Sequence, residues 1–357
     1  IIVGLGASGA ASAWMLSRSN LKILIIEQGR EYNLRDYHKK ENGWEVSKLK
    51  KFNVNPNIRK GKFDYKIDTK RSDIDIANFN GVGGSTILYS GHFPRFHPSD
   101  FRVKSIDNIS SNWPINYKEL EPYYEMNDKI TGVHGLEGDP AYPKIKHLKH
   151  PISLGKSGEL ISKSFKKLNW HCWPSYSAID VKNNFSVKTI NHTYLPLIKK
   201  SKNITIKKNL EVVKILSDEK KVKGVLCNDE KKNIFKFESK IIILACNGIG
   251  TPRLLLNSKN KFFKDGIANN SSSLVGKNLM LHPLGFVEGS FNQYLNSDFG
   301  PEGCCVYSHQ FYETNKRNNY KRGFTMQILR GSGPLETSLY LKKINKLKFG
   351  GNFSSNF

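Results

Sequence analysis

Residues 1–10 read IIVGLGASGA, and this stretch decides the fold class. Gly4, Gly6 and Gly9 follow a β-branched apolar run with the spacing G-x-G-x-x-G, and helix-forming residues come directly after them. Leu21–Ile26 (LKILII) has the pattern of a second buried strand, which ends at Glu27. This order predicts the βαβ unit of a dinucleotide-binding fold, because it contains a strand, a glycine-rich turn, a helix, a second strand and an acidic residue at the end of that strand.

Each part of this unit has a physical role. Gly4 permits the tight turn, Gly6 lets the backbone approach a pyrophosphate, and Gly9 lets the helix pack against the sheet. The helix N-terminus directs its positive end at the phosphates. Glu27 is expected to accept hydrogen bonds from an adenosine ribose, which disfavours NADP. The pattern does not separate NAD from FAD, because both contain adenosine diphosphate.

The composition indicates a strongly basic globular chain. It has 357 residues, about two domains by length, with a net charge of +25 at pH 7 and 38% hydrophobic residues. The lysines are scattered between apolar residues, so we interpret the charge as solvated surface and compositional drift, and nucleic-acid binding as the less favoured alternative. No apolar run reaches the ~18–20 residues of a membrane helix. The five cysteines form no C-x-x-C pair and predict neither a metal site nor a disulfide scaffold.

A second glycine-rich loop, FNGVGGSTILYSG, occupies residues 79–91. It follows a polar stretch, 31–78, which we predict to be a surface excursion inserted into the nucleotide domain. IIILACNGIG (241–250) predicts another strand-to-helix crossing, with Pro252 in the first helical turn. Beyond Gly276 an alternating pattern predicts an antiparallel platform that starts near residue 283.

The remaining secondary structure is predicted from periodicity. An amphipathic helix is expected within 113–133, and short strands are expected within 204–216 and 222–226.

Taken together, these segments resemble the glucose–methanol–choline (GMC) family of FAD-dependent oxidoreductases. The matching pieces occur in the family's order: IIVGLGASGAASA (1–13), NGVGGSTILYSGHFPRFHPSDF (80–101), WPINYKELEPYYE (113–125), LEVVKIL (210–216), LACNGIGTPRLLLNS (244–258) and LVGKNLMLHP (274–283). The resemblance implies an α/β fold, with a Rossmann-like FAD-binding domain and a discontinuous, partly missing α+β substrate domain built on an antiparallel sheet. The expected divisions are 1–133 (FAD-binding domain, first part), 134–185 (start of the substrate domain or a loop insertion), 186–282 (FAD-binding domain, second part) and 283–357 (truncated substrate domain).

The resemblance also implies which residues bind FAD. It assigns the pyrophosphate to Gly4, Gly6, Ser8 and Gly9, and the adenosine ribose to Glu27. Gly83, Gly84, Ser85 and Thr86 would form the second loop, which lies along the pyrophosphate and the flavin. The backbone of Val212 would contact the adenine, and the adenosine side would be lined by Ala245, Gly248 and Thr251. Tyr89 departs from the family pattern, in which many members have an asparagine. The segment Ser177–Thr193 contains no cysteine, so an electron relay through a cysteine cluster is not expected.

The implied activity is FAD-dependent oxidation of a CH–OH group of an alcohol, sugar or polyol, by hydride transfer to flavin N5. The electron acceptor is not predicted, and a dehydrogenase is favoured over an oxidase. The family's catalytic histidine belongs to a closing segment with no counterpart before Phe357, so no catalytic residue is assigned. We expect a chain that is incomplete at both ends and inactive alone, with a localisation that the sequence leaves open between cytoplasm and periplasm.

Other histidines, aromatic residues and cysteines are interpreted as structural. His92, His97 and His282 are expected in loops or turns, and the stretch Trp170–Pro174 and the pair Cys304–Cys305 are expected to pack rather than react. Two alternative functions stay open. The first is an NAD-dependent Rossmann dehydrogenase, against which the second glycine loop and the strand at 241–246 argue. The second is a non-enzymatic basic nucleotide-fold protein.

Overall fold

The computed structural model describes residues 1–32, 44–72, 74, 76–183, 185–268, 273–289, 291–297, 299–315 and 320–330, together with 335, 338, 339 and 342. In chain order the helices are α1 (Ala7–Leu16), α2 (Trp44–Leu49), α3 (Pro56–Arg59), α4 (Val103–Asp107), α5 (Tyr117–Thr131), α6 (Gly155–Lys167), α7 (Tyr194–Lys199) and α8 (Asn247–Asn257). The strands are β1 (Ile2–Val3), β2 (Ile23–Ile26), β3 (Trp173–Pro174), β4 (Ile179–Asp180), β5 (Ser186–Val187), β6 (Ile204–Lys207), β7 (Glu211–Ser217), β8 (Val222–Asn228), β9 (Ile234–Glu238), β10 (Ile243–Leu244), β11 (Cys304–Phe311) and β12 (Phe324–Leu329).

The chain divides into two compact units, each made of two stretches of sequence. The first unit comprises Ile1–Leu88 and Thr189–Glu288, and the second comprises Tyr89–Lys188 and Gly289–Phe357. Two of these boundaries lie close to the divisions expected after residues 185 and 282. The remaining boundary follows Leu88 and not residue 133. The assignment of the two units to cofactor and substrate stays a prediction.

A parallel sheet forms the centre of the first unit. Its strands are ordered β10-β1-β2-β6, and Ile2 pairs with both Ile25 and Ile243. Ile2 and Ile25 are almost fully buried, as expected for a parallel sheet whose two faces are covered. These strands confirm the ones predicted around the first glycine loop and at 241–246.

Helix α8 begins earlier than predicted. It starts at Asn247, so Pro252 lies in its second turn and not in its first. The Asn247 side-chain oxygen accepts the backbone N–H groups of Ile249 and Gly250 at 2.7 and 2.9 Å. These N–H groups have no partner within the helix, so the asparagine side chain stabilises a start at this point.

An antiparallel sheet, β7-β8-β9, supplies most of the remaining core of the first unit. Its buried face packs with the ends of the parallel strands and with α8. The shared cluster consists of Val3, Ile26, Leu210, Val212, Ile215, Val225, Cys227 and Leu254. Strands β6, β7 and β8 confirm the short strands predicted in 204–216 and 222–226.

The second unit is built on the antiparallel sheet β12-β11-β3, beside a small β4-β5 pair. Helix α5 lies within the predicted range 113–133, and Asn116 and Glu119 form a capping box at its start. The core cluster consists of Val133, Tyr142, Ile145, Tyr176, Cys304 and Tyr307.

The antiparallel platform does not begin near residue 283. Its first described strand after that point is β11, and among the described residues no strand pairs with 279–289. Leu284 and Phe286 are 71% and 72% exposed. A strand needs a neighbour for its backbone hydrogen bonds, so the alternating pattern alone did not form one here.

Candidate functional site

The two glycine-rich loops lie directly against each other in the first unit. The backbone N–H of Gly83 donates to the carbonyl oxygen of Leu5 over 2.8 Å. Gly84 has a left-handed φ of +53°, and a Cβ atom added to it would lie only 2.8 Å from Cα of Gly6. Any other residue at position 84 would be strained in this conformation, and its Cβ atom would collide with Gly6. The contact therefore requires glycine at position 84.

The first loop is held by backbone and carboxylate contacts. Gly4 has a φ of +100°, and its N–H donates to the carbonyl oxygen of Ile26 over 2.8 Å. A Cβ atom on Gly9 would lie 2.0 Å from the carbonyl oxygen of Gly4. The glycine at position 9 therefore lets α1 pack tightly against the turn that precedes it.

The second loop is held by Thr86. Its hydroxyl donates to the carbonyl oxygen of Gly83 over 2.6 Å and accepts the backbone N–H of Ile190 at 3.2 Å. The hydroxyl thus ties the loop to the chain that re-enters the first unit at Thr189.

Both loops line one cavity of about 230 Å³. Among the residues predicted to bind a cofactor, those that line it are Gly4, Gly6, Ser8, Glu27, Gly84, Ser85, Thr86, Val212 and Ala245. Gly9 and Gly83 are not part of the lining, but Gly9 packs against Gly4 and Gly83 is hydrogen-bonded to Leu5. Gly248 is exposed and, like Thr251, is not part of the lining. The structure therefore brings most of the predicted set together around a single space.

The rest of the lining was not predicted from the sequence. Those residues are Val3, Ala7, Ile26, Gln28, Tyr65, Phe79, Asn80, Leu210, Cys246, Asn247, Gly250, Arg253 and Leu254. Many flank the predicted residues and could have been found as neighbours of a strand end. Tyr65 had no such signal, because it belongs to the stretch that was interpreted as a surface excursion.

Glu27 is buried at the floor of this cavity, with only 5% of its surface exposed. Its carboxylate accepts the backbone N–H groups of Leu5 and Gly29, both at 2.9 Å. Burial raises the pKa of Glu27 to about 7, although these two hydrogen bonds act in the opposite direction. Glu27 thus cross-links the first loop to the chain after β2, and a contact with a ribose hydroxyl stays a prediction.

The lining suits the adenosine diphosphate part of a dinucleotide. Its walls are apolar at Leu210, Val212 and Leu254, whereas Ser8 and Ser85 supply hydroxyls beside the two loops. Complete ligand pockets usually measure ~300–1,000 Å³. A cavity of about 230 Å³ is smaller than that, so it has room for only part of a dinucleotide. The glycines leave the space that backbone approach to a pyrophosphate needs.

Tyr89, near the end of the second loop, and His92, just after that loop, both lie in the second unit. The His92 ring meets the Tyr307 ring edge-on, with centroids 5.9 Å apart, and burial lowers the pKa of His92 to about 4. The Tyr89 hydroxyl donates to the carbonyl oxygen of Lys188 over 2.6 Å. Tyr89 thus has a structural contact at the position where it departs from the family pattern.

Of the other side chains that were expected to be structural, all but His282 are packed or buried. The His97 ring lies 4.2 Å from the Tyr312 ring and 4.4 Å from the Tyr142 ring, measured between centroids. Trp170 contacts Phe311 edge-on at 5.0 Å. Cys304 and Cys305 are buried free thiols, and burial raises the pKa of both. His282 is exposed.

Within the described ranges, no three His, Cys, Asp or Glu side chains are grouped so that they could hold a metal ion. None of the described helices is long and apolar enough to cross a membrane.

Comparison with known proteins gives a consistent result. Residues 76–284 match the family model for GMC oxidoreductases. The chain is 32% identical to the 2-methyl-1,2-propanediol dehydrogenase of Mycolicibacterium austroafricanum, over 95% of the chain and 65% of that protein. It is 25% identical to the fructose dehydrogenase large subunit of Gluconobacter japonicus, over 79% of the chain and 58% of that protein. The chain therefore spans about two thirds of the length of these relatives or less.

A solved structure shares the fold. The crystal structure of pyridoxine 4-oxidase from Mesorbium loti aligns with a TM-score of 0.52 and 19% identity, over 72% of this chain and 51% of that one. The comparisons confirm the resemblance drawn from the sequence and its α/β fold class. With a family match that covers more than half of its residues, the chain belongs to the GMC oxidoreductase family, whose members bind FAD.

Proposed function

We propose that this chain supplies the cofactor-binding part of an FAD-dependent enzyme that oxidises a CH–OH group of a small alcohol, polyol or sugar. The observation that carries the proposal is the contact between the two glycine loops, Gly83 N–H to Leu5 C=O, at one shared cavity. A simple NAD-binding fold needs only the first loop, so the second one favours FAD.

When bound, FAD would supply the redox chemistry by accepting a hydride at flavin N5. The chain's own residues would bind and orient it. Gly6 and Gly84 leave the backbone open to the pyrophosphate, and Ser8 and Ser85 offer hydroxyls beside it. Leu210, Val212 and Leu254 would exclude water from the adenosine.

The acid–base step needs a group with a pKa near the working pH, within hydrogen-bond reach of the substrate hydroxyl. Burial lowers the pKa of His92 to about 4, so His92 would be a weak base near neutral pH. This makes it a poor candidate for the group that accepts the proton of the substrate hydroxyl. We assign no base within the described residues and propose that the histidine lies in a segment beyond residue 357.

The substrate class is proposed from the relatives. The two most similar ones reported above are named dehydrogenases of a diol and of fructose. The higher identity and coverage belong to the diol enzyme, so small diols are the first donors to test. A dehydrogenase is accordingly favoured over an oxidase.

The experiment compares this 357-residue chain with the longest natural reading frame that contains it. Both proteins are reconstituted with FAD, and the visible flavin spectrum is recorded before and after anaerobic addition of 2-methyl-1,2-propanediol, short diols and fructose. We expect a bound flavin in both and bleaching by a donor in the longer protein only. Absence of bound flavin from both proteins would contradict the proposal. A dehydrogenase is distinguished from an oxidase by measuring whether the reduced enzyme passes its electrons to an added dye or consumes oxygen.

A further inference from the structure

The cavity has one wall that comes from the stretch between β2 and the second glycine loop. Tyr65 belongs to this wall and lies beside Arg253 of α8, which also lines the cavity. We propose that Arg253 binds the adenosine diphosphate part of FAD and that Tyr65 positions its guanidinium. The inference rests on the proposed FAD-binding function and adds two residues to it.

The backbone beside Tyr65 is fixed by a buried ion pair. Arg59 donates from Nε and from its terminal nitrogen to the two carboxylate oxygens of Asp64, at 2.8 and 2.5 Å. Both side chains are only 4% exposed. Two-point contacts of this kind are stronger and better oriented than a single hydrogen bond. Tyr65 is the next residue, so its position is set by this pair.

The same carboxylate reaches the second glycine loop. Asn80 donates from Nδ2 to Asp64 at 2.9 Å, and the Asn78 side chain accepts the Asn247 amide at 3.0 Å. The inserted stretch is thereby tied to the loop before Gly81 and to the start of α8. Tyr65 is held at the cavity by the structure around it and is not a free surface residue.

Arg253 lies between Tyr65 and Glu211. Its guanidinium carbon is 4.3 Å from the centroid of the Tyr65 ring, a cation–π distance, and it donates to a Glu211 carboxylate oxygen over 3.3 Å. These two contacts fix a long side chain that would otherwise have many rotamers. The planar guanidinium suits a stacked position better than a lysine ammonium would.

The charge of the cavity fits this role. Among its described lining residues, Arg253 is the one permanently positive side chain and Glu27 the one carboxylate. Burial holds the Glu27 pKa near 7, so part of its charge is absent at neutral pH. The diphosphate of FAD is anionic, and the Arg253 cation, although it is paired with the Glu211 carboxylate outside the lining, favours its binding.

The experiment uses the 357-residue chain and measures ADP, adenosine and FAD affinities by calorimetry. We expect Arg253→Gln and Tyr65→Leu each to weaken ADP binding about tenfold, and Tyr65→Phe to stay within about twofold of wild type. Because Tyr65 acts through Arg253, the double variant should bind ADP about as weakly as Arg253→Gln alone. Wild-type ADP affinity should also fall more steeply with salt than that of Arg253→Gln.

The matched control is Lys62→Gln, which removes one positive charge from an exposed side chain of the same stretch. It should leave ADP affinity unchanged. Thermal unfolding shows whether each variant is folded, and Arg253→Met replaces Arg253→Gln if the latter is not. The proposal would be overturned if the folded Arg253 variant bound ADP within about twofold of wild type. It would also be overturned if the loss of ADP affinity in the double variant equalled the product of the losses in the two single variants. A wild-type chain that binds neither ADP nor FAD would contradict the proposed function itself.

Discussion

Gly83 donates its backbone N–H to the carbonyl oxygen of Leu5 over 2.8 Å, and this hydrogen bond joins the two glycine-rich loops into one structure. Gly6 and Gly84, which have no side chains, also face each other across this junction, because a Cβ atom added to Gly84 would lie 2.8 Å from Cα of Gly6. Both loops line the same cavity. A substitution at this junction is therefore expected to affect ligand binding and stability in different ways, depending on what the new Cβ atom meets.

Gly6→Ala should separate ligand binding from stability. The added Cβ would lie 3.6 Å from Cα of Gly84, an ordinary contact, while Gly6 itself lines the cavity. We expect the free energy of unfolding to change by no more than about 1 kcal/mol, and the affinity for FAD and ADP to fall at least about tenfold. Chemical denaturation and calorimetry measure the two quantities. Unchanged ADP affinity would contradict the assignment of Gly6 to the pyrophosphate.

Gly9→Ala should destabilise the first unit. The added Cβ would lie 2.0 Å from the carbonyl oxygen of Gly4, so the helix has to move away from the turn. We expect a loss of about 2 kcal/mol or more in the free energy of unfolding, measured by denaturant titration. Gly248→Ala is the matched control, since apart from its chain neighbours and the backbone of its own helix no heavy atom of the described residues lies within 4 Å of its added Cβ. It should raise stability by about 0.5–1 kcal/mol, because Gly248 lies in α8. Equal effects of the two variants would contradict this account.

Glu27 should make the cofactor-free chain less stable as pH rises. Its pKa is about 7 when folded against 4.5 as the ordinary value, so the folded state binds the proton more tightly. The stabilisation is complete below about pH 4.5 and is lost by pH values above 7, a total of about 3 kcal/mol. Urea unfolding at several pH values measures it. Glu27→Gln should remove this part of the pH dependence, and an identical slope in the variant would contradict the assignment.

The buried Arg95–Asp128 pair should be essential to the second unit. Arg95 donates from two nitrogens to one oxygen of Asp128, at 2.6 and 3.0 Å, and from a third to the Tyr117 hydroxyl at 3.1 Å. Because Arg95→Met leaves a buried carboxylate without its cation, we expect a loss of about 3–5 kcal/mol in the free energy of unfolding. The double variant Arg95→Met/Asp128→Leu should lose clearly less than the sum of the single variants.

A matched control for that pair is Lys146→Met. Lys146 is exposed and lies 3.3 Å from a Glu125 carboxylate oxygen, so its removal should cost about 1 kcal/mol or less. Equal losses for Lys146→Met and Arg95→Met would show that burial does not decide the outcome.

Much of the site was predictable because its residues follow strand ends. Gly4, Glu27 and Ala245 come directly after β-branched apolar runs, and parallel strands bring such ends to one edge of a sheet. Tyr65 could not be predicted in this way, since it follows no strand and its stretch has no periodicity. The alternating pattern beyond Gly276 gave a wrong start for the antiparallel platform for a related reason, because alternation describes a side-chain arrangement and does not supply a neighbouring strand.

The sequence by itself determined the βαβ unit, the α/β class and many of the residues around the cavity. These features depend on the spacing of glycines and on the pattern of buried strand residues, and both can be recognised in short stretches of sequence. Only the tertiary structure decided which distant segments meet. Leu5 with Gly83, and Tyr65 with Arg253, are contacts between residues far apart in the chain. Such contacts depend on how whole elements pack, and no short stretch of sequence specifies them.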